Sequence, residues 1–196
     1  MCAKFVPRLL TDDQREQRQT ITRDLFERSC EDVQFLKNIL TGDESWVYGC
    51  DPETKQQSSK WKGPTSPRPK KGRKVRSKTK VMLLAFFDAE GIVQHDYVPN
   101  GQTINKEFYV EVLRSLRESV QRKRPEKWRE GDWILHHDSA PAYTSHLVQQ
   151  VLAKHGTAQL QQPPYSQDLA SCDFFLFPRL KKVLKGHGFE ATEDIK

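Results

Sequence analysis

No stretch of this 196-residue chain approaches a membrane-spanning helix, which needs about 18 consecutive apolar residues. The longest apolar run, Val81 to Phe87, has the length of a strand, and no membrane association is expected. Hydrophobic residues are scarce, at 36%, and the mean hydropathy is −0.77. Such a balance borders on that of disordered chains, but four Trp and ten Phe can build a core. Cysteine is also sparse. Cys2, Cys30, Cys50 and Cys172 form no CxxC pair, which argues against a disulfide scaffold and a zinc ribbon and for reduced thiols. The opening MCAKFVPRLL lacks the basic-then-apolar layout of a secretory signal, so an intracellular domain is expected.

Acidic residues are missing from one segment in particular. Between Lys55 and Lys80 there are eleven Lys or Arg and no Asp or Glu. The whole chain carries +6, from 32 basic and 26 acidic residues, so without that segment 21 basic residues face 26 acidic ones. A mildly acidic body therefore carries one strongly basic arm. Its densest part is Arg68, Lys70, Lys71, Arg73, Lys74, Arg76, Lys78 and Lys80, set among Pro64, Pro67, Pro69, Gly63 and Gly72, which favour loop over helix. A cationic loop without compensating acids suits a nucleic-acid backbone. A solvated loop and a nuclear import signal are the competing readings, and the import signal would place the protein in the nucleus.

Thr11 with Gln14 three residues on forms a capping-box signature, and Asp12 and Asp13 suit the first turn of a helix running to about Arg28. A second short helix is predicted from Glu31 to Leu40. Strands follow at SWVYGCD, QSSKW, KVMLLAFFD and IVQHDYV, the last two joined as a hairpin. Helices are predicted from Asn105 to Arg122, from Ala142 to Lys154 with His146, Leu147 and Val151 on one face, and from Asp168 to Lys185. WILHH and Thr157 to Gln161 supply two more strands. An antiparallel start followed by alternating strands and helices implies an α/β fold, a mixed sheet with helices on both faces.

Three carboxylates stand out. Asp43 opens the first strand, Asp138 closes WILHHD, and Asp173 sits beside Phe174, Phe175, Leu176 and Phe177, where a lone carboxylate needs a partner, a metal or solvent. Gathered at one spot they would repel by roughly 4 kcal/mol per pair at about 4 Å and an effective dielectric near 20. Such a cluster makes sense around hard divalent ions, Mg²⁺ or Mn²⁺, whereas three unrelated caps and turns are the plainer alternative. His137 could orient a carboxylate or simply be a packed strand residue, and Asp168 is expected to cap the last helix.

The segments TGDESWVYGCD, GQTINKEFYVEVL, WILHHDSAPAYTS and PPYSQDLASCDFFLFPRLK, in that order, resemble the catalytic domain of mariner-family transposases. The resemblance covers nearly the whole chain, beginning at KFVPRLLT, which is similar to the family's linker. It implies a ribonuclease-H-like fold with a five-stranded mixed sheet, a helical linker over 1–41 and a catalytic domain over 42–196. It also implies a catalytic and metal-binding set of Asp43, Asp138 and Asp173, with the family's thirty-four residues between the last two. The implied activity is Mg²⁺- or Mn²⁺-dependent cleavage and strand transfer of DNA, with DNA as partner and a homodimer as a possible assembly.

Ser139 stands where the family usually has Asn, Tyr143 where it usually has His, and Gln167 and Ser171 where it usually has prolines. The family's helix-turn-helix modules do not precede the linker, and the chain stops 23 residues after Asp173. A truncated or domesticated descendant with at most residual nuclease activity is the resulting expectation, though a fragment boundary would look the same. The alternative is a catalytically idle DNA-binding or protein-interaction module.

Overall fold

The computed structural model describes residues 9–59, 61–67 and 75–195. The chain begins with α1 (Asp12–Glu31) and α2 (Phe35–Asn38), then β1 (Ile39–Tyr48), β2 (Lys80–Asp88) and β3 (Gly91–Val98). There follow α3 (Lys106–Lys123), α4 (Pro125–Glu130), β4 (Ile134–His136), α5 (His146–Lys154) and β5 (Ala158–Leu160). A π-helical turn, Cys172–Leu176, runs directly into α6 (Phe177–Leu184). The five strands form one sheet in the order β3-β2-β1-β4-β5. β1 to β3 are antiparallel neighbours, while β4 and β5 add in parallel. This is the ribonuclease-H-like arrangement.

Alternation along β2 divides the core into two layers. Leu84 and Phe86 face α3 and α5, packing with Leu113, Leu116 and Val148, whereas Leu83 and Ala85 face Cys172 and Phe177 at the start of α6. Helices thus cover both faces, and the near-continuous apolar run of β2 reflects burial on each side. The α3 helix begins at Asn105, whose side chain accepts from the Phe108 N–H, and it buries seven residues, Leu116 completely.

Several predicted elements are displaced. Ile39 and Leu40 belong to β1, not to a helix, because they pair with Ile134 and Leu135 of β4. Asp43 therefore lies midway along β1 and does not open it. Gln57 and Ser58 lie in a turn, not a strand, with the Ser58 N–H bonding back to the Thr54 carbonyl at 3.0 Å. The helix predicted from Ala142 begins only at His146, and its buried residues are Val148 and Leu152, with Leu147 exposed. Asp168 caps no helix. It lies in a turn and receives both terminal nitrogens of Arg18, at 3.2 and 2.9 Å. That pair, with Arg18 donating also to Ser166 Oγ at 2.7 Å, anchors α1, which has the expected Thr11–Gln14 capping box but no buried residue.

Gly42 is required by packing, not by backbone conformation. A Cβ on it would lie inside the ring of Phe86, a side chain only 1% exposed. Gly42→Ala is expected to destabilise the fold by about 1–3 kcal/mol through overpacking. An unfolding midpoint in urea equal to that of the parent would show that Phe86 yields freely.

Candidate active site

β1 delivers two consecutive carboxylates to opposite faces of the sheet. Asp43 shares the face of Ser45 and Val47, towards α6. Glu44 shares the face of Leu40 and Gly42, towards α3 and α5. Asp43 Oδ1 accepts the Glu44 N–H at 2.7 Å. Asp138 follows β4 by two residues, half-buried, and its Oδ1 accepts the Ala140 N–H at 3.0 Å, closing a turn. Asp173 sits in the first turn of the π-helix and is exposed.

Burial pushes the Asp43 carboxyl up to about 8, aided by the neighbouring charges of Glu44, Asp173 and Asp138 and opposed by the Glu44 N–H. Asp43 thus feels both of the other aspartates singled out in the sequence, although they come from positions 95 and 130 residues further on. Among the described residues no three His, Cys, Asp or Glu side chains stand at a common ligating distance. The donor set suits a hard divalent cation. It consists of carboxylate oxygens at a negative locus, and the one nearby sulfur, Cys172, is buried with its thiol pushed up by desolvation and by Asp43.

Behind Asp138 lies a buried polar-aromatic cluster. Tyr143 packs against Tyr109 with centroids 4.1 Å apart and the rings tilted by 35°, and His137 meets both rings. The Tyr143 hydroxyl donates to Glu44 Oε2. Desolvation raises the Glu44 carboxyl, partly offset by that hydrogen bond. His137 Nε2 bonds Gln159 at 2.8 Å, while His137 Nδ1 and Tyr109 Oη find no hydrogen-bond partner among the described residues. Burial pushes His137 down to about 4, and it is a packed residue. The sequence singled out Tyr143 only as a departure and passed over Glu44. The signal was available in strand alternation, since a carboxylate on the inward face must find a donor.

On the other face Lys181 of α6 donates to Ser45 Oγ at 2.6 Å, and its ammonium is also within the field of Asp173. Of the basic arm, Arg68, Lys70, Lys71, Arg73 and Lys74 lie outside the described residues. Arg76 pairs with Asp51 at 3.1 Å and lies over the Tyr48 ring, and Lys80 lies over Trp46. Lys78 is exposed. Trp61 is fully exposed. Beside Asp138 a cavity of about 870 Å³ opens between α1 and the segment from Gln159 to Pro164.

A family model described as transposase, partial DDE domain, matches residues 51–130. The Mariner Mos1 transposase of Drosophila mauritiana is 31% identical over 194 residues, which is 98% of this chain and 55% of that protein. The chain thus spans about half the length of that relative. The crystal structure of the Mos1 mariner paired end complex with Mn superposes with a TM-score of 0.84 at 30% identity, covering 100% of this chain and 56% of the other. The crystal structure of the catalytic domain of Mos1 gives 0.76 at 27% identity, covering 97% of this chain and 81% of the other. Along its whole length the chain is similar to mariner transposases in both sequence and fold.

Proposed function

We propose that this chain is a metal-dependent DNA strand-cleavage and strand-transfer domain, with Asp43, Asp138 and Asp173 holding Mg²⁺ or Mn²⁺. One observation carries the proposal. The Asp43 carboxyl, desolvated on β1, lies in the field of both Asp138 and Asp173, which reach it from two elements far away in sequence. Bound there, divalent ions would supply Lewis-acid activation of the attacking oxygen and neutralise charge on the leaving oxygen.

The chain's own residues position and exclude. β1 and the turn after β4 fix Asp43 and Asp138 on the sheet, so little reorganisation is needed when a phosphodiester arrives. Asp173 joins them from the π-helical turn, whose register is held by Cys172 and Phe177 in the core. Lys181, bonded to Ser45 on the same face, places a cation where a backbone phosphate would approach. DNA is the proposed partner, two copies the proposed working unit, and the nucleus the proposed location.

Titrating Mn²⁺ into the 196-residue chain by calorimetry tests the assignment. The parent is expected to bind and the Asp138→Asn variant to lose most of that affinity. Equal binding by the two would remove the proposal.

General DNA affinity is assigned to Arg68, Lys70, Lys71, Arg73, Lys74, Arg76, Lys78 and Lys80, because the remainder of the chain is net acidic and repels phosphate. With about half of these charges engaged, log K should fall against log salt with a slope of about −3 to −4. Replacing Lys70, Lys71, Arg73 and Lys74 by Ala should weaken binding to all sequences alike and flatten the slope. An unchanged slope would place the DNA elsewhere.

A further inference from the structure

The parallel pairing of β1 with β4 runs Ile39 to Ile134, Leu40 to Leu135 and Thr41 to His136, and there it stops. Continued by two residues, the same register would set Asp43 opposite Asp138. Both carboxylates therefore stand just past the last rung, where backbone hydrogen bonds no longer fix the distance between their two carriers. β1 itself stays rigid beyond that point, because β2 pairs with it as far as Tyr48. Among the described residues the segment after β4 has no strand partner, and it folds into a turn. Its Ala140 N–H is held by Asp138, and its Ala140 carbonyl accepts from the Tyr143 and Thr144 N–H groups at 2.9 and 3.1 Å.

Tyr143 ends that turn. It is 2% exposed, its ring is fixed by Tyr109 and His137, and its hydroxyl crosses to Glu44 on β1. Glu44 in turn donates its N–H to Asp43. A continuous path of contacts thus runs from Asp138 through the turn, Tyr143 and Glu44 to Asp43. We propose that the Tyr143–Glu44 hydrogen bond is a tie that sets the spacing of Asp43 and Asp138, making Tyr143 and Glu44 positioning residues for divalent-ion binding. The inference rests on the metal-binding reading of the three aspartates. It assigns Glu44 no place among the ligands, since its side chain leaves β1 on the opposite face from Asp43 and is engaged by Tyr143.

Mn²⁺ titration of the full chain separates the possibilities. Supports of ligating groups are typically worth about 10- to 100-fold in metal affinity. Tyr143→Phe keeps the ring and removes the tie, so it is expected to weaken Mn²⁺ binding by about that factor. Glu44→Gln keeps an acceptor for the hydroxyl and is expected to bind within about threefold of the parent, well inside the range that losing the support would give. Parent-like affinity in Tyr143→Phe would overturn the tie. A loss in Glu44→Gln as large as in Tyr143→Phe would overturn it too, because Glu44 would then be a ligand or a needed charge. Should Tyr143→Phe lose its near-ultraviolet dichroism, Glu44→Met against Glu44→Gln carries the test. Both lack the charge, only Gln can accept, and equal affinities would overturn the tie. Asp138→Asn is the separate control. Its binding like the parent would defeat the metal-site reading itself, whereas its loss alongside an unaffected Tyr143→Phe would defeat only the tie.

Discussion

Asp138→Asn is expected to reduce Mn²⁺-dependent nicking of duplex DNA on the order of 10³-fold, the consequence of losing several kcal/mol of charge stabilisation at tenfold per 1.36 kcal/mol. Asn keeps the size of the side chain and an oxygen to accept the Ala140 N–H, so the turn after β4 should survive while the negative charge is lost. Asp43→Asn and Asp173→Asn should each cause losses of similar order. The triple variant should be little worse than the most damaged single one, because residues that act as a unit are not additive. Nicking is read from conversion of supercoiled plasmid to open circles, with variants and parent purified side by side. Equal nicking by the triple variant would assign the activity to a contaminant and end the enzyme reading.

The largest expected effect on stability lies at the other end of the sheet. Asp88 closes β2 with its side chain only 2% exposed, and it receives Arg124 Nε and Nη2 at 2.8 and 2.9 Å and Lys127 Nζ at 2.7 Å. Burial alone would raise its carboxyl, but the hydrogen bonds from Arg124 and Lys127 outweigh that and hold it below the usual 3.8. Asp88→Asn leaves two nearly buried cations facing a neutral group, and Glu90, largely exposed, compensates poorly. A loss of about 3–5 kcal/mol is expected in urea unfolding, a large share of the roughly 5–15 kcal/mol available to a typical domain. The pH dependence has a definite sign. A carboxyl depressed in the folded state contributes stability above its unfolded value, near 3.8, and loses it as pH falls through the lower folded value. Acid destabilisation below about pH 4 should therefore be steeper in the parent than in Asp88→Asn. Equal stability of the two at neutral pH would show that the pair is dispensable.

The elements that were legible carry their own local signals. TDDQ declares a helix start whatever surrounds it, and KVMLLAFFD can satisfy its apolar run only as a strand covered on both sides. Asp43, Asp138 and Asp173 were picked out together through the family resemblance, and Asp173, read as a lone acid beside apolar residues, is exposed together with Phe174 and Phe175. What failed depended on partners distant in sequence. Val33, Leu36, Ile39 and Leu40 fit helical spacing, but pairing of Ile39 and Leu40 with β4 overrides that preference. The ion pairs of Asp88 left no local signal, because Arg124 and Lys127 are 36 and 39 residues away. Glu44 was passed over for the same reason, its donor Tyr143 lying 99 residues on. The six residues of α4 are too few for a periodic pattern, and the short helix went unpredicted.

The central claim is that Asp43, Asp138 and Asp173 form a divalent-ion site, and anomalous diffraction from crystals soaked in Mn²⁺ tests it most directly. The account predicts one or two anomalous peaks bounded by oxygens of all three carboxylates, absent from Asp138→Asn crystals soaked in the same way. Well-diffracting parent crystals with no peak among those residues, or with Mn²⁺ bound only elsewhere, would contradict it.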